Sequence, residues 1–149
     1  MTTTTSRIDV EQAAPEIYRA MLRLDGAVGK SGLEPQFQDL LKFRVAQMNG
    51  CAYCMDMHGR DAVAGGERPE RLYVVAGWRE AGDLFDERER AALALMEEMT
   101  EIGDHGVSDE VYDAVSEHFS EADIAALIFL NMTINAWTRL GVAAKLTPS

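Results

Sequence analysis

Cysteine is scarce in this chain. The only two in 149 residues fall within four positions of one another, in the stretch NGCAYCMDMH at residues 49 to 58. A scaffold stapled by several disulfides is thereby excluded, and a chain of this length buries enough core to fold without staples. Basic residues are also few. The 14 Lys plus Arg face 25 Asp plus Glu, for a net charge of -11, which argues against the clustered cations that a phosphate-binding surface needs. Nucleic acid is not an expected partner, and most of the acidic side chains read as a solvated face. No long apolar run is present. The most apolar segment, IAALIFL at 124 to 130, is followed by Asn131, Thr133 and Asn135 and falls far short of the ~20 residues of a membrane span. It reads as a core helix, and no membrane association is expected. The opening MTTTT lacks the apolar run and basic flank of a targeting segment, so a cytoplasmic address follows. In a reducing compartment, two cysteines point to catalysis or metal binding rather than to a structural bridge.

Alternating strand patterns, a repeat period and an interdomain linker are lacking as well. Helical spacing recurs almost throughout, so the expected fold is all-α, with about six to seven helices. Residues 1–10 are expected to be disordered, and residues 11–149 to form a single helical domain. Ile17, Met21, Leu22 and Leu24 mark a first helix over about 11–24, closed by Gly26, Gly29 and Gly32. Phe37, Leu40, Leu41, Val45 and Met48 mark a second that ends at Asn49-Gly50, a natural C-terminal cap. Another helix starts near Cys51 and runs toward Gly65-Gly66. Pro69 suits the first turn of the next, carrying Leu72, Val75 and Trp78 to Gly82. Asp86 with Glu89 resembles a capping box, and Ser108 and Ser120 read as N-caps, the second for a helix reaching about Ala144.

In CxxCxxxH, the residues Cys51, Cys54 and His58 stand three and four apart, so a helix places them in one stripe. Both cysteines belong to its first turn, where unpaired N–H groups and the helix dipole favour a thiolate. A thiolate attacks a peroxide or a disulfide, and a second cysteine at this spacing can close an intramolecular disulfide. His58, one turn after Cys54, can exchange a proton with a thiol or a leaving group. Asp39 is a candidate to orient it. In an antiparallel hairpin about Asn49-Gly50, Asp39 lies ten residues before the turn and His58 eight after it, about 15 Å and 12 Å along the two helices. Glu34 competes, but stands beyond Pro35. Other readings stay open: two small buried residues at the cysteines, an exposed helix acid at Asp39, or a zinc site through Cys51, Cys54 and His58 that recruits His105, His118 or Asp56. Arg44 and Asp56 are each other's possible ion-pair partners or separately solvated. Met48, Met55 and Met57 read as adaptable apolar filler around the thiols.

FRVAQMNGCAYCMDMHGRDA resembles the core of the AhpD-like alkyl hydroperoxidases of the carboxymuconolactone decarboxylase family, and RLYVVAGWREA and NAWTRL extend the likeness over about residues 34–142. The resemblance implies a compact all-helical fold with a central hairpin carrying CxxCxxxH, assembled as a homo-oligomer, a trimer or hexamer. It implies a peroxidase or thiol-disulfide activity that needs no cofactor. In such proteins the second cysteine, matched by Cys54, attacks a hydroperoxide and the first, matched by Cys51, resolves the sulfenic acid. The histidine matching His58 and the acid matching Asp39 relay protons. A lipoyl protein, a thioredoxin-like protein or a small thiol would supply electrons. Two positions depart from the pattern: Asp39 stands where Glu is usual, one methylene shorter, and Tyr53 stands between the cysteines where AhpD proper has His. The decarboxylase members lack the cysteine pair, so their lactone chemistry is not implied. A non-enzymatic redox sensor is the alternative function. The likeness also suggests that Asn135 and Trp137 pack near the active pocket, although an ordinary core role fits them equally.

Overall fold

Pro15, Pro35 and Pro69 each open a helix, at the one position where the missing N–H and fixed φ of proline carry no cost. The computed structural model describes residues 6–148. Among these residues the chain forms eight α-helices and no strand: α1 Val10–Ala13, α2 Pro15–Gly29, α3 Pro35–Met48, α4 Ala52–Ala64, α5 Pro69–Val74, α6 Glu87–Thr100, α7 Asp109–His118 and α8 Glu121–Ala144. Two 3-10 segments, Val75–Glu80 and Gly82–Leu84, join α5 to α6. The all-α expectation is met with one more helix than expected, because the first helical stretch divides at Pro15 into the single turn α1 and the longer α2. Helix α2 also runs through Gly26 to Gly29, where a break was expected; Ala27 and Val28 carry it to its end, and Val28 is buried there. Residues 1–5 of the expected disordered start lie outside the described residues, and the backbone N–H of Arg7 donates to Ala144 at 2.8 Å.

The caps behave as local chemistry dictates. Asp86 and Glu89 form a reciprocal capping box on α6, Ser120 and Asp123 form another on α8, and Ser108 caps α7. Each such cap contributes about 1 kcal/mol by satisfying N–H groups that have no partner within the helix. Helix α5 is shorter than its apolar spacing predicts. It tightens into 3-10 geometry after Val74, and Gly77 leaves the helical region altogether (φ -109°, ψ 31°).

The core joins three long helices: Leu40, Leu41 and Val45 of α3, Leu93 and Met96 of α6, and Leu127, Leu130 and Ile134 of α8 are all fully buried or nearly so. Burial of each such side chain stabilises the fold by roughly 1.5–3 kcal/mol. Helices α3 and α4 lie along one another more extensively than any other pair. Their turn at Asn49-Gly50 needs the positive φ of Gly50, +64°, which a side chain would strain. Helix α8 crosses the turn end of this hairpin, and Asn49 Nδ2 donates to Asn135 Oδ1 and Thr138 Oγ1, each at 2.9 Å. No helix of the described residues is long and apolar enough to cross a membrane.

Candidate active site

The turn that ends α3 delivers Cys51 to the N-cap of α4. Its backbone N–H donates to Ala46, and its Sγ accepts from the N–H of Cys54 at 3.2 Å. Cys51 and Cys54 are joined as a disulfide with Cα atoms 5.3 Å apart, a separation that C-x-x-C at a helix start supplies without distortion of the backbone. Both are buried, with Ala46, Tyr53 and Met55 packed around them. Their other cover is a glycine. A Cβ on Gly141 of α8 would stand 3.0 Å from Cys51 Sγ and 3.5 Å from Cys54 Sγ, so only a residue without a side chain lets α8 come this close.

His58 lies one turn beyond Cys54 and is buried. Its Nδ1 has no hydrogen-bond partner and stands 3.6 Å from Asp39 Oδ1. That is ion-pair range but beyond a hydrogen bond. The hairpin therefore brings Asp39 of α3 opposite His58 of α4 and leaves a gap between them that one more methylene on the acid would narrow. Glu34, the competitor, is the N-cap of α3 without a side-chain capping bond, and its carboxylate pairs with Arg88 at 3.0 Å. With Asp61, Asp39 and His58 form the set of described side chains whose ligand atoms lie within 4.8 Å of one another and could hold a metal ion. This set does not coincide with the zinc alternative, because the two sulfurs are bonded to each other and His58 faces carboxylates. His105 and His118 are exposed in a loop and at the end of α7.

Cys54 and His58 share one pocket of about 240 Å³, which α2 and α8 complete with Tyr18, Leu22, Trp137 and Leu140. Trp137 therefore lines the same pocket as Cys54, and Tyr18 meets it edge-on with ring centroids 5.5 Å apart. Burial raises the pKa of the Tyr18 hydroxyl above its ordinary value, with Glu11, Tyr53 and Asp9 acting in the same direction, so it remains a proton donor at neutral pH. Asn135 lies behind the pocket and ties Asn49 to Thr100 and Asn131. Tyr18 and Gly141 were not legible as site residues: no spacing links α2 or the end of α8 to a cysteine motif. Arg44 and Asp56 are not partners. Arg44 binds Glu97 of α6 at 2.8 Å, and Asp56 pairs with Arg60 on its own helix.

Residues 15–98, more than half of the chain, match the carboxymuconolactone decarboxylase family. The chain is 37% identical over 137 residues to the uncharacterized protein YdfG of Bacillus subtilis, covering 92% of each. It superposes with a TM-score of 0.93 on a crystal structure of a protein of unknown function from Agrobacterium tumefaciens, provisionally linked to AhpD antioxidant defence, at 32% identity and with 97% of this chain and 99% of that one covered. The debrominase Bmp8 has the same fold, with a TM-score of 0.80 at 15% identity over all of this chain and 94% of that one. A scaffold shared this widely fixes no reaction, which must be argued from the site. Fold, cysteine pair and sequence match together place the chain in the carboxymuconolactone decarboxylase family, among its AhpD-like members.

Proposed function

We propose that this protein is a cytosolic, thiol-dependent oxidoreductase that reduces hydroperoxides. The observation that carries the reading is the shared pocket: Cys54 and His58 line one apolar cavity while Cys51 is bonded to Cys54 behind it. In the reduced protein the Cys54 thiolate attacks the outer peroxide oxygen, the O–O bond breaks, and the alcohol leaves with a proton from His58. Cys54 is then a sulfenic acid. Cys51 attacks it, water leaves, and the disulfide forms. Asp39 orients His58 across the 3.6 Å gap. A thiol donor restores the pair. The chemistry requires no bound cofactor, and assembly as a homotrimer or homohexamer belongs to the same reading.

The test is a free-thiol titration with intact mass, before and after one equivalent of cumene hydroperoxide, with metal content read on the same sample. Loss of two thiols and of two mass units (the two thiol protons) within seconds is the expected result. Unreactive thiols, or one zinc per chain, would defeat the reading. Catalytic turnover with peroxide and a dithiol separates an enzyme from a redox sensor whose disulfide only alters an interface. In Cys51→Ser a sulfenic acid is trapped at Cys54, whereas Cys54→Ser consumes no peroxide.

A further inference from the structure

The two sulfurs of the disulfide belong to different openings. Cys54 lines the pocket that holds His58 and Trp137, and Cys51 does not. Cys51 instead lines a second cleft of about 220 Å³ between the start of α4 and the end of α8, which Cys54 does not reach. Small residues, Gly50, Ala52 and Gly141, keep this cleft open, with Val142 and Lys145 at its exposed rim. Leu146 lines both openings.

Thiol-disulfide exchange has a strict geometry. The incoming sulfur approaches along the S–S axis, from the side opposite the sulfur that leaves. Attack on Cys51 must therefore come from the side away from Cys54, and attack on Cys54 from the side away from Cys51. We propose that the pair is served from two faces: peroxide reaches Cys54 through the His58 pocket, and the reducing thiol reaches Cys51 through the cleft between α4 and α8. The inference rests on the thiol-disulfide cycle proposed above and adds the site of its second half.

The step balances. A donor thiolate bonds to Cys51 Sγ, the Cys51–Cys54 bond breaks, and its electron pair stays on Cys54 Sγ, beside His58 and in the first turn of α4, where a thiolate is stabilised. A second donor thiolate attacks the donor sulfur of the mixed disulfide. Cys51 leaves as a thiolate, two protons are taken up, and the donor departs as its disulfide. Two electrons pass to the protein. Because both cysteines are only 2–3% exposed, the donor must reach into the cleft to meet Cys51 Sγ. An advantage of two faces is that bound alcohol product in the first pocket does not block reduction.

Diamide can form the disulfide without any peroxide, so the test does not depend on peroxidase activity. Oxidised wild-type protein is treated with excess glutathione, quenched within seconds by N-ethylmaleimide, and the peptide carrying both cysteines is fragmented. Glutathione on Cys51 with maleimide on Cys54 is the expected pattern. Glutathione on Cys54 overturns the inference and leaves the peroxidase reading standing. Failure of diamide to consume two thiols overturns both. As a second measurement, Val142→Trp should slow reduction of the disulfide by dithiothreitol at least tenfold and by more than Leu22→Trp, which narrows the other opening. The reverse order of the two effects would also refute it. The wild-type map needs neither variant to fold.

Discussion

At the scale of single residues, His58 and Asp39 carry different expectations. His58→Ala should slow peroxide oxidation of the reduced protein about 10²-fold or more, the ordinary worth of a positioned proton donor. Asp39→Asn should cost less, about tenfold, because it removes an orienting charge that stands 3.6 Å from the ring rather than the proton carrier itself. Asp39→Glu should match or exceed the natural rate, since the longer side chain narrows that gap. Stopped-flow oxidation of the three variants decides; equal and total losses in His58→Ala and Asp39→Asn would give Asp39 a direct part in proton transfer. Gly141 makes a separate prediction. Alanine improves an exposed helix by about 1 kcal/mol, yet here its Cβ would press on Cys51 Sγ at 3.0 Å, and overpacking of this kind costs about 1–3 kcal/mol. Gly141→Ala should lower the melting temperature of the oxidised protein. The alignment of Cys54 with His58 was readable because both stand on α4 one turn apart, whereas Gly141, 87 residues beyond Cys54 in the chain, has no local signal.

At the scale of elements, the α3–α4 hairpin is the unit that makes the site. Its turn is recognisable as Asn49-Gly50, and the helix lengths on either side put Asp39 and His58 at similar heights, so their encounter was open to arithmetic. The anchor of the turn was not. Asn49 is more than a capping residue, since its amide donates to Asn135 and Thr138 of α8 and thereby sets α8 over the disulfide. Asn49→Ala removes both bonds, although Asn135 Oδ1 keeps its bond from Arg139 and Thr138 Oγ1 keeps its bond to Asn135 O, at a cost of about 2 kcal/mol, or roughly 5 °C in melting temperature for a chain of this size. Reduction of the disulfide should quicken in the same variant, because α8 is less firmly held. The segment after α5 shows a different limit. Leu72, Val75 and Trp78 recur at helical steps, and Val75 and Trp78 are buried as that spacing requires, yet the backbone there is 3-10. A three-residue step satisfies both helix types, and the pattern alone does not choose.

For the molecule as a whole, Glu97 joins three parts of the fold. It binds Arg44 of α3 and Arg79 and Trp78 of the 3-10 segment from its place on α6. Burial opposes its charge, but the hydrogen bonds from Arg79, Trp78 and Arg44 outweigh burial and hold its carboxyl below the ordinary range. A carboxyl whose folded pKa is depressed adds stability above its unfolded pKa, about 4.3 for Glu, and loses it as the pH falls through the folded value. Glu97→Gln should therefore melt well below the natural protein at pH 7, with a gap that narrows below about pH 4. A gap independent of pH would mean that packing, not charge, is what Glu97 contributes. Glu97→Ala should cost more, about 3 kcal/mol, since it leaves the poorly exposed Arg44 without its counter-charge.

The amino-acid sequence by itself determined what depends on neighbours within a few positions: helices from apolar steps of three and four, their ends from Pro69, Asp86, Ser108 and Ser120, and the alignment of Cys54 with His58. It also carried a family likeness specific enough to name, because the cysteine motif and its flanking residues occur together. Tertiary structure alone decided what depends on which helices meet. The pocket takes Tyr18 from α2 and Trp137 from α8, Arg44 takes Glu97 rather than Asp56, and each sulfur faces a different opening because α8 ends over the start of α4. The physical reason is one of range. Capping, helical spacing and turn chemistry act over one or two turns of chain and leave their mark on adjacent residues, whereas the burial that brings α2, α6 and α8 against the hairpin is non-directional, so the same apolar pattern is compatible with many partners until the whole core is packed.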